Sequence, residues 1–131
     1  MSIKIEKDNF SIEAGLTDSG RVAIELAGRF DHQNAPLLSE AIEKLAQQEG
    51  TKADDFADFV IYLSALDFMN SSAIKQLIKL LRQTEAKNGQ LILIGENDNQ
   101  AIQSLRQTGI DALFDIYSSL IEMTKSQPKK K

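Results

Sequence analysis

The chain has 131 residues, of which 42% are hydrophobic and 26% charged, a size and balance that suit one soluble globular domain. It contains no cysteine, which excludes disulfides, thiolate metal sites and cysteine nucleophiles. Its formal net charge is -4 with the basic residues scattered, the opposite of a nucleic-acid-binding surface.

No apolar run reaches the ~20 residues that a membrane helix needs. The opening residues 1–8 alternate and carry charges, unlike a signal peptide, so a cytoplasmic protein with no direct membrane insertion is expected. A first hairpin is read from Phe10, Ile12 and Ala14 or Leu16 on one face, a turn at Thr17-Asp18-Ser19-Gly20, and Val22, Ile24 and Leu26 beyond it. Gly28 is expected to end the second strand. Asn34 is expected to cap a helix over about residues 35–48, with Pro36 in its first turn and Leu38, Ala41, Ile42 and Leu45 as its buried stripe.

Residues 49–58 read as a polar loop that Phe56 pins to the core. Phe59-Val60-Ile61-Tyr62-Leu63 is a short, nearly continuous apolar strand, covered on both faces as in a parallel or mixed sheet. Residues 64–72 are expected to connect it to a second helix with Ile74, Leu77, Ile78 and Leu81 inward and Leu80 beside them. Asn88-Gly89 closes that helix through a left-handed cap. Leu91-Ile92-Leu93-Ile94 is a buried strand ended by Gly95. Asp98 is expected to cap a third helix with Ala101, Ile102 and Leu105 inward, and Gly109 to stop it. A last strand over 114–117 and a helix capped by Ser118, carrying Leu120, Ile121 and Met123, complete the pattern. The order β-β-α-β-α-β-α-β-α predicts an α/β fold, a mixed sheet with an opening hairpin and about four packed helices. Residues 1–127 form one domain, and 128–131, with Lys129, Lys130 and Lys131 after Pro128, a flexible basic tail.

Little in the chain suggests catalysis. The one histidine, His32, has no ligand-like spacing around it, and no phosphate-loop motif is present. No cofactor, metal or catalytic residue is expected, and the protein is not read as an enzyme. The informative run is Asn70-Ser71-Ser72-Ala73, where an apolar strand and loop meet an amphipathic helix. Hydroxyls there lie near the free N–H groups and positive end of the helix. Any of Asn70, Ser71 or Ser72 would serve as cap. A phosphoryl group would be tolerated, and would add ~1.5 to 2 negative charges to the surface. Capping and switching are equally compatible with these residues.

The run from Phe59 through Ser71-Ser72-Ala73-Ile74 resembles the central motif of STAS domains, an apolar strand followed by Asp-Ser-Ser-Gly-Leu at a helix start. Lys87-Asn88-Gly89-Gln90-Leu91 is similar to the family's glycine-then-strand step, and residues 105–117 to its Leu-x-x-x-Gly-Leu-x-x-x-Phe ending. Leu26-Ala27-Gly28-Arg29-Phe30-Asp31-His32 matches its Gly-x-x-Asp turn. The resemblance covers roughly residues 10 to 125. It implies a STAS-like fold and a role like that of the bacterial anti-sigma factor antagonists. These bind an anti-sigma factor or serine kinase with a GHKL-type ATP site, are phosphorylated on the first serine of the motif, here Ser71 with Ser72 as second choice, and are reset by a PP2C-type phosphatase. The implied partner surface comprises Asp31, His32, Asn70, Ser71, Ser72 and Lys75. Asn70, Ala73 and Tyr62 depart from the family's usual Asp, Gly and Asp or Asn. The alternative is a constitutive STAS subunit of a transporter or signalling assembly, without phosphorylation.

Overall fold

The computed structural model describes residues 2–126, with side chains through Met123; Pro128 and the three terminal lysines lie outside them. Six strands form one mixed sheet in chain order. They are β1 (Ser2–Lys7), β2 (Phe10–Leu16), β3 (Val22–Phe30), β4 (Phe59–Met69), β5 (Leu91–Ile94) and β6 (Asp115–Tyr117). The first three pair antiparallel and the rest parallel. The helices are α1 (Pro36–Gln48), α2 (Ser71–Ala86), α3 (Gln100–Gln107) and α4 (Leu120–Ser126).

Period-2 alternation along the strands decides which side chains face the helices. Ile12, Ile24, Leu26, Ile61, Leu63 and Leu93 join Leu38 and Leu45 of α1, Leu77 of α2 and Ile102 and Leu105 of α3 in one buried cluster. Helices α1, α2 and α3 therefore share one face of the sheet. Each fully buried Leu or Ile in these stripes stabilises the fold by roughly 1.5–3 kcal/mol. Phe56 is buried in the same core, as its expected pinning role requires. The opposite face carries a smaller cluster, Val60, Ile92 and Ile94 beneath Met123 of α4. That covering explains why residues 59–63 lack polar alternation.

Several local expectations are corrected. The opening residues form an additional strand, β1, on the outer side of the hairpin. Gly28 does not end β3. It takes φ +92°, and a Cβ there would sit 2.2 Å from the Asn9 carbonyl oxygen, so the strand passes a spot that only glycine can occupy and continues to Phe30. Residues 64–69 are strand rather than connection. From Glu25↔Tyr62 to Ala27↔Ala65, and again from Gly28↔Leu66 to Arg29↔Phe68, β4 uses one residue more than β3. These two bulges break the alternation that marks a strand.

The caps also shift. Asn34 is buried and donates its side-chain N–H to the Arg29 carbonyl at 2.8 Å rather than capping α1. Asn99, not Asp98, caps α3, accepting from the Ile102 amide at 3.0 Å. Its amide nitrogen also reaches the carbonyls of Leu63, Leu66 and Ser64 at 3.1, 3.2 and 3.4 Å. This satisfies β4 carbonyls beyond the end of β5, whose last partner on β4 is Tyr62. Before α4, Ser119 rather than Ser118 accepts the Glu122 amide, at 3.1 Å. The left-handed close of α2 is as expected: Asn88 has φ 59°, and a Cβ on Gly89 would meet the Ala57 carbonyl oxygen at 1.8 Å.

Candidate functional site

Parallel strands β3 and β4 end in register, with Phe30 opposite Met69. The segments that follow them, Asp31 onward and Asn70 onward, therefore leave the sheet side by side. The Asn70 amide donates to the Phe30 carbonyl at 3.2 Å, which ties the two exits together. Asn70 is extended, and its side-chain oxygen accepts from the Ala73 amide at 3.2 Å. Its own carbonyl accepts the Ile74 amide at 3.0 Å. Of the three possible caps, Asn70 is the one used.

That arrangement releases the serines from capping. Ser71 is the first residue of α2 and is exposed, whereas Ser72 is half-buried. The Ser71 hydroxyl takes part in no hydrogen bond among the described residues. The Ser71 and Ser72 amides precede the first intrahelical bond and remain donors at the positive end of a 16-residue helix. Ala73 is fully buried, so the helix start packs closely on the core while Ser71 faces outward. Lys75, one turn further, is exposed on the same helix.

Asp31 is held in place by the turn that leads into α1. One carboxylate oxygen accepts from the amides of Gln33 and Asn34 at 3.1 and 3.4 Å and from the Asn34 side chain at 3.3 Å. The other lies 3.8 Å from the Arg29 guanidinium. The Asp31 side chain is only 13% exposed, while the neighbouring His32 is exposed. Arg29 in turn covers the Phe68 ring, 3.9 Å from its centroid, a cation–π contact. Asp31, His32, Asn70 and the two serines are thus brought to one end of the sheet. Arg29 and Phe68 belong to the same surface and were not among the expected site residues. They face each other only through the β3–β4 register, which is not a local property of the sequence.

Among the described residues, no group of three His, Asp or Glu side chains could hold a metal ion, and no helix is long and apolar enough to cross a membrane. A groove of about 220 Å³ between α1 and α2 is lined by residues including Leu38, Ile42, Phe59 and Leu80. None of the six expected site residues lines it. The surface around Ser71 presents an exposed hydroxyl, fixed polar groups and a guanidinium-covered ring.

Residues 15–123 match the family model described as STAS domain. The chain is a STAS domain. It is 25% identical to the anti-sigma-B factor antagonist of Listeria monocytogenes over 108 residues, covering 82% of this chain and 89% of that protein. A crystal structure of an anti-sigma factor antagonist from Mycobacterium paratuberculosis superposes with a TM-score of 0.70 at 23% identity, over 89% of this chain and 92% of that one. The phosphorylated form of the Bacillus cell-fate determinant SpoIIAA gives a TM-score of 0.60 at 17% identity, over 88% and 98%. The STAS fold expected from the sequence motifs is therefore present, and the domain is similar to anti-sigma factor antagonists.

Proposed function

We propose that this STAS domain is a non-enzymatic, cytoplasmic binding module switched by reversible phosphorylation of Ser71. Its partner is an anti-sigma factor or serine kinase with a GHKL-type ATP site, and a PP2C-type phosphatase restores the unmodified form. The observation that carries this reading is the exposed, unengaged Ser71 hydroxyl at the start of α2, beside the fixed Asp31 turn. Because Asn70 already caps the helix, Ser71 is free to be modified without loss of a structural bond. A phosphoryl group there gains favourable interaction with the helix N-terminus, so the domain keeps its fold. The partner meets the added charge on the face where it docks and is released. Asn70, in place of the family's usual Asp, puts an uncharged side chain directly before the incoming phosphate.

The likeness to the Listeria antagonist supports the class of partner, and the phosphorylated state of SpoIIAA supports a switch of this kind on this fold. The test is incubation with ATP and serine kinases of the GHKL type from the same organism, followed by phosphosite mapping. Phosphate on Ser71 is expected. A Ser71→Asp variant should lose affinity for the kinase that labels Ser71 by at least an order of magnitude, in line with burying an unpaired charge at an interface, while Ser71→Ala should bind as tightly as the unmodified protein. Absence of label on both serines, with equal binding by the two variants, would favour a constitutive subunit instead.

A further inference from the structure

Strand β1 forms one margin of the sheet, and among the described residues nothing pairs with its outer edge. It is six residues long, Ser2–Lys7, without proline or bulge, and pairs with β2 at every position. Such an edge offers a row of open N–H and C=O groups to another strand. Ile3 and Ile5 face the main core but are only half-buried, and the exposed Lys4 and Glu6 alternate with them.

The sequence of this edge joins opposite charges in a single antiparallel register. Two copies related by a two-fold axis must pair residues whose numbers share a constant, even sum, so that like faces meet. Centring the axis on Lys4 sets Lys4 against Lys4. Centring it on Glu6 sets Glu6 against Glu6. Centring it on Ile3 sets Ile3 against Ile3 and Ser2 against Lys4, with no opposite charges joined. Centring it on Ile5 sets Ile5 against Ile5, Lys4 against Glu6 twice and Ile3 against Lys7 twice. Only the last joins opposite charges, and it sets the two half-buried Ile5 side chains against each other. In the single chain Lys4 and Glu6 lie 3.3 Å apart and pair with each other, so neither is committed to another element.

We infer that the occupant of this edge is a second copy of the same chain, added antiparallel about Ile5 to make a continuous twelve-stranded sheet. β1 runs in the same direction as β3, because each is antiparallel to β2. The two-fold axis therefore turns the Ser71 ends of the two copies to opposite sides of the joined sheet. Each copy keeps its docking face open. This inference does not depend on phosphorylation, and its failure leaves the proposed switch intact.

Analytical ultracentrifugation of the full chain over a concentration series tests it. The unaltered protein should dimerise reversibly. Lys4→Glu and Glu6→Lys should each weaken the dimer by at least about tenfold, since either change turns two attractive cross-strand pairs into repulsive ones. An equimolar mixture of the two variants should recover association, because every pair across the edge is then of opposite sign. Circular dichroism of each variant checks that the surface substitutions leave the fold in place. A protein that stays monomeric throughout the series overturns the inference. So does a dimer that neither charge reversal weakens, or a mixture that associates no better than its components.

Discussion

Asn70 stands where the STAS motif usually has aspartate, and the structure shows what that exchange retains. The side-chain oxygen still accepts the Ala73 amide, so the helix start is formed without a formal charge. Asn70→Ala removes this acceptor and should cost about 1 kcal/mol in urea unfolding. Asn70→Asp keeps the acceptor and adds charge at the positive helix end, so it should stabilise the protein by about 0.3–1 kcal/mol at low salt. Under the proposed switch, the same Asp should slow phosphate transfer to Ser71 by placing two anions side by side, measurable as the initial rate with a kinase that labels Ser71. Gly28 is the other residue on which local geometry turns. At φ +92°, with the Asn9 carbonyl oxygen 2.2 Å from the position a Cβ would take, Gly28→Ala should destabilise the fold by about 3 kcal/mol or more. Because Arg29 follows Gly28 in β3 and Asp31 comes just after the strand's end, this variant should also weaken the proposed partner binding beyond what its stability loss explains.

At the scale of elements, the irregular part of the architecture is β4, which runs past β5 with two bulges. Asn99 makes this possible, capping α3 with its oxygen and serving β4 carbonyls with its nitrogen. Asn99→Ala loses both functions and should cost about 2–3 kcal/mol, against about 1 for Asn70→Ala. Asn99→Asp retains the cap but has no donor, so its midpoint in denaturant should fall between those of the wild type and Asn99→Ala. The same element marks where sequence reading works and where it stops. Helix stripes such as Leu38, Ala41, Ile42 and Leu45 have a local period and were legible, as was the glycine-closed end of α2. The far half of β4 was not, because its bulges abolish the period of two. Strand β1 was not either, since its alternation of isoleucine with charge suits a half-covered edge and equally an unpaired tail. Caps were misplaced by one residue at α3 and α4, where neighbouring polar residues are chemically equivalent until tertiary partners choose among them. At the site, the Asn70-Ser71-Ser72 run was read at the strand-to-helix junction where it stands, while Asp31 entered only through the family resemblance. Arg29 and Phe68 meet only across strands, and no local signal joins them.

For the whole molecule, the two faces of the sheet are covered unequally. Three helices and most of the apolar side chains lie on one face, while on the other Met123 of α4 packs over Val60, Ile92 and Ile94. Ile121 is 70% exposed and adds little to that docking. The start of α4 is held by a reciprocal arrangement in which the Ser118 amide and hydroxyl donate to Glu122 and the Glu122 amide donates to Ser119. The Ser118 amide, and then its hydroxyl, hold the Glu122 carboxyl below the usual glutamate range. A carboxyl whose folded pKa lies below its unfolded one favours the folded form most at neutral pH. Its contribution fades as pH falls out of the usual glutamate range and vanishes below the depressed folded value. Acid should therefore loosen α4 before it disturbs the main core, which owes nothing to this carboxylate. In NMR spectra followed from neutral pH into acid, the Ser118 amide and the Cα shifts of residues 120–123 should move together, toward coil values, while those of β3 and β5 hold. Glu122→Gln should abolish that titration and show a weakened helix signal already at neutral pH. Were the residue 120–123 shifts of the glutamine variant to titrate like the wild type, the acid response of α4 would have to come from another titratable group rather than from the Glu122 carboxylate.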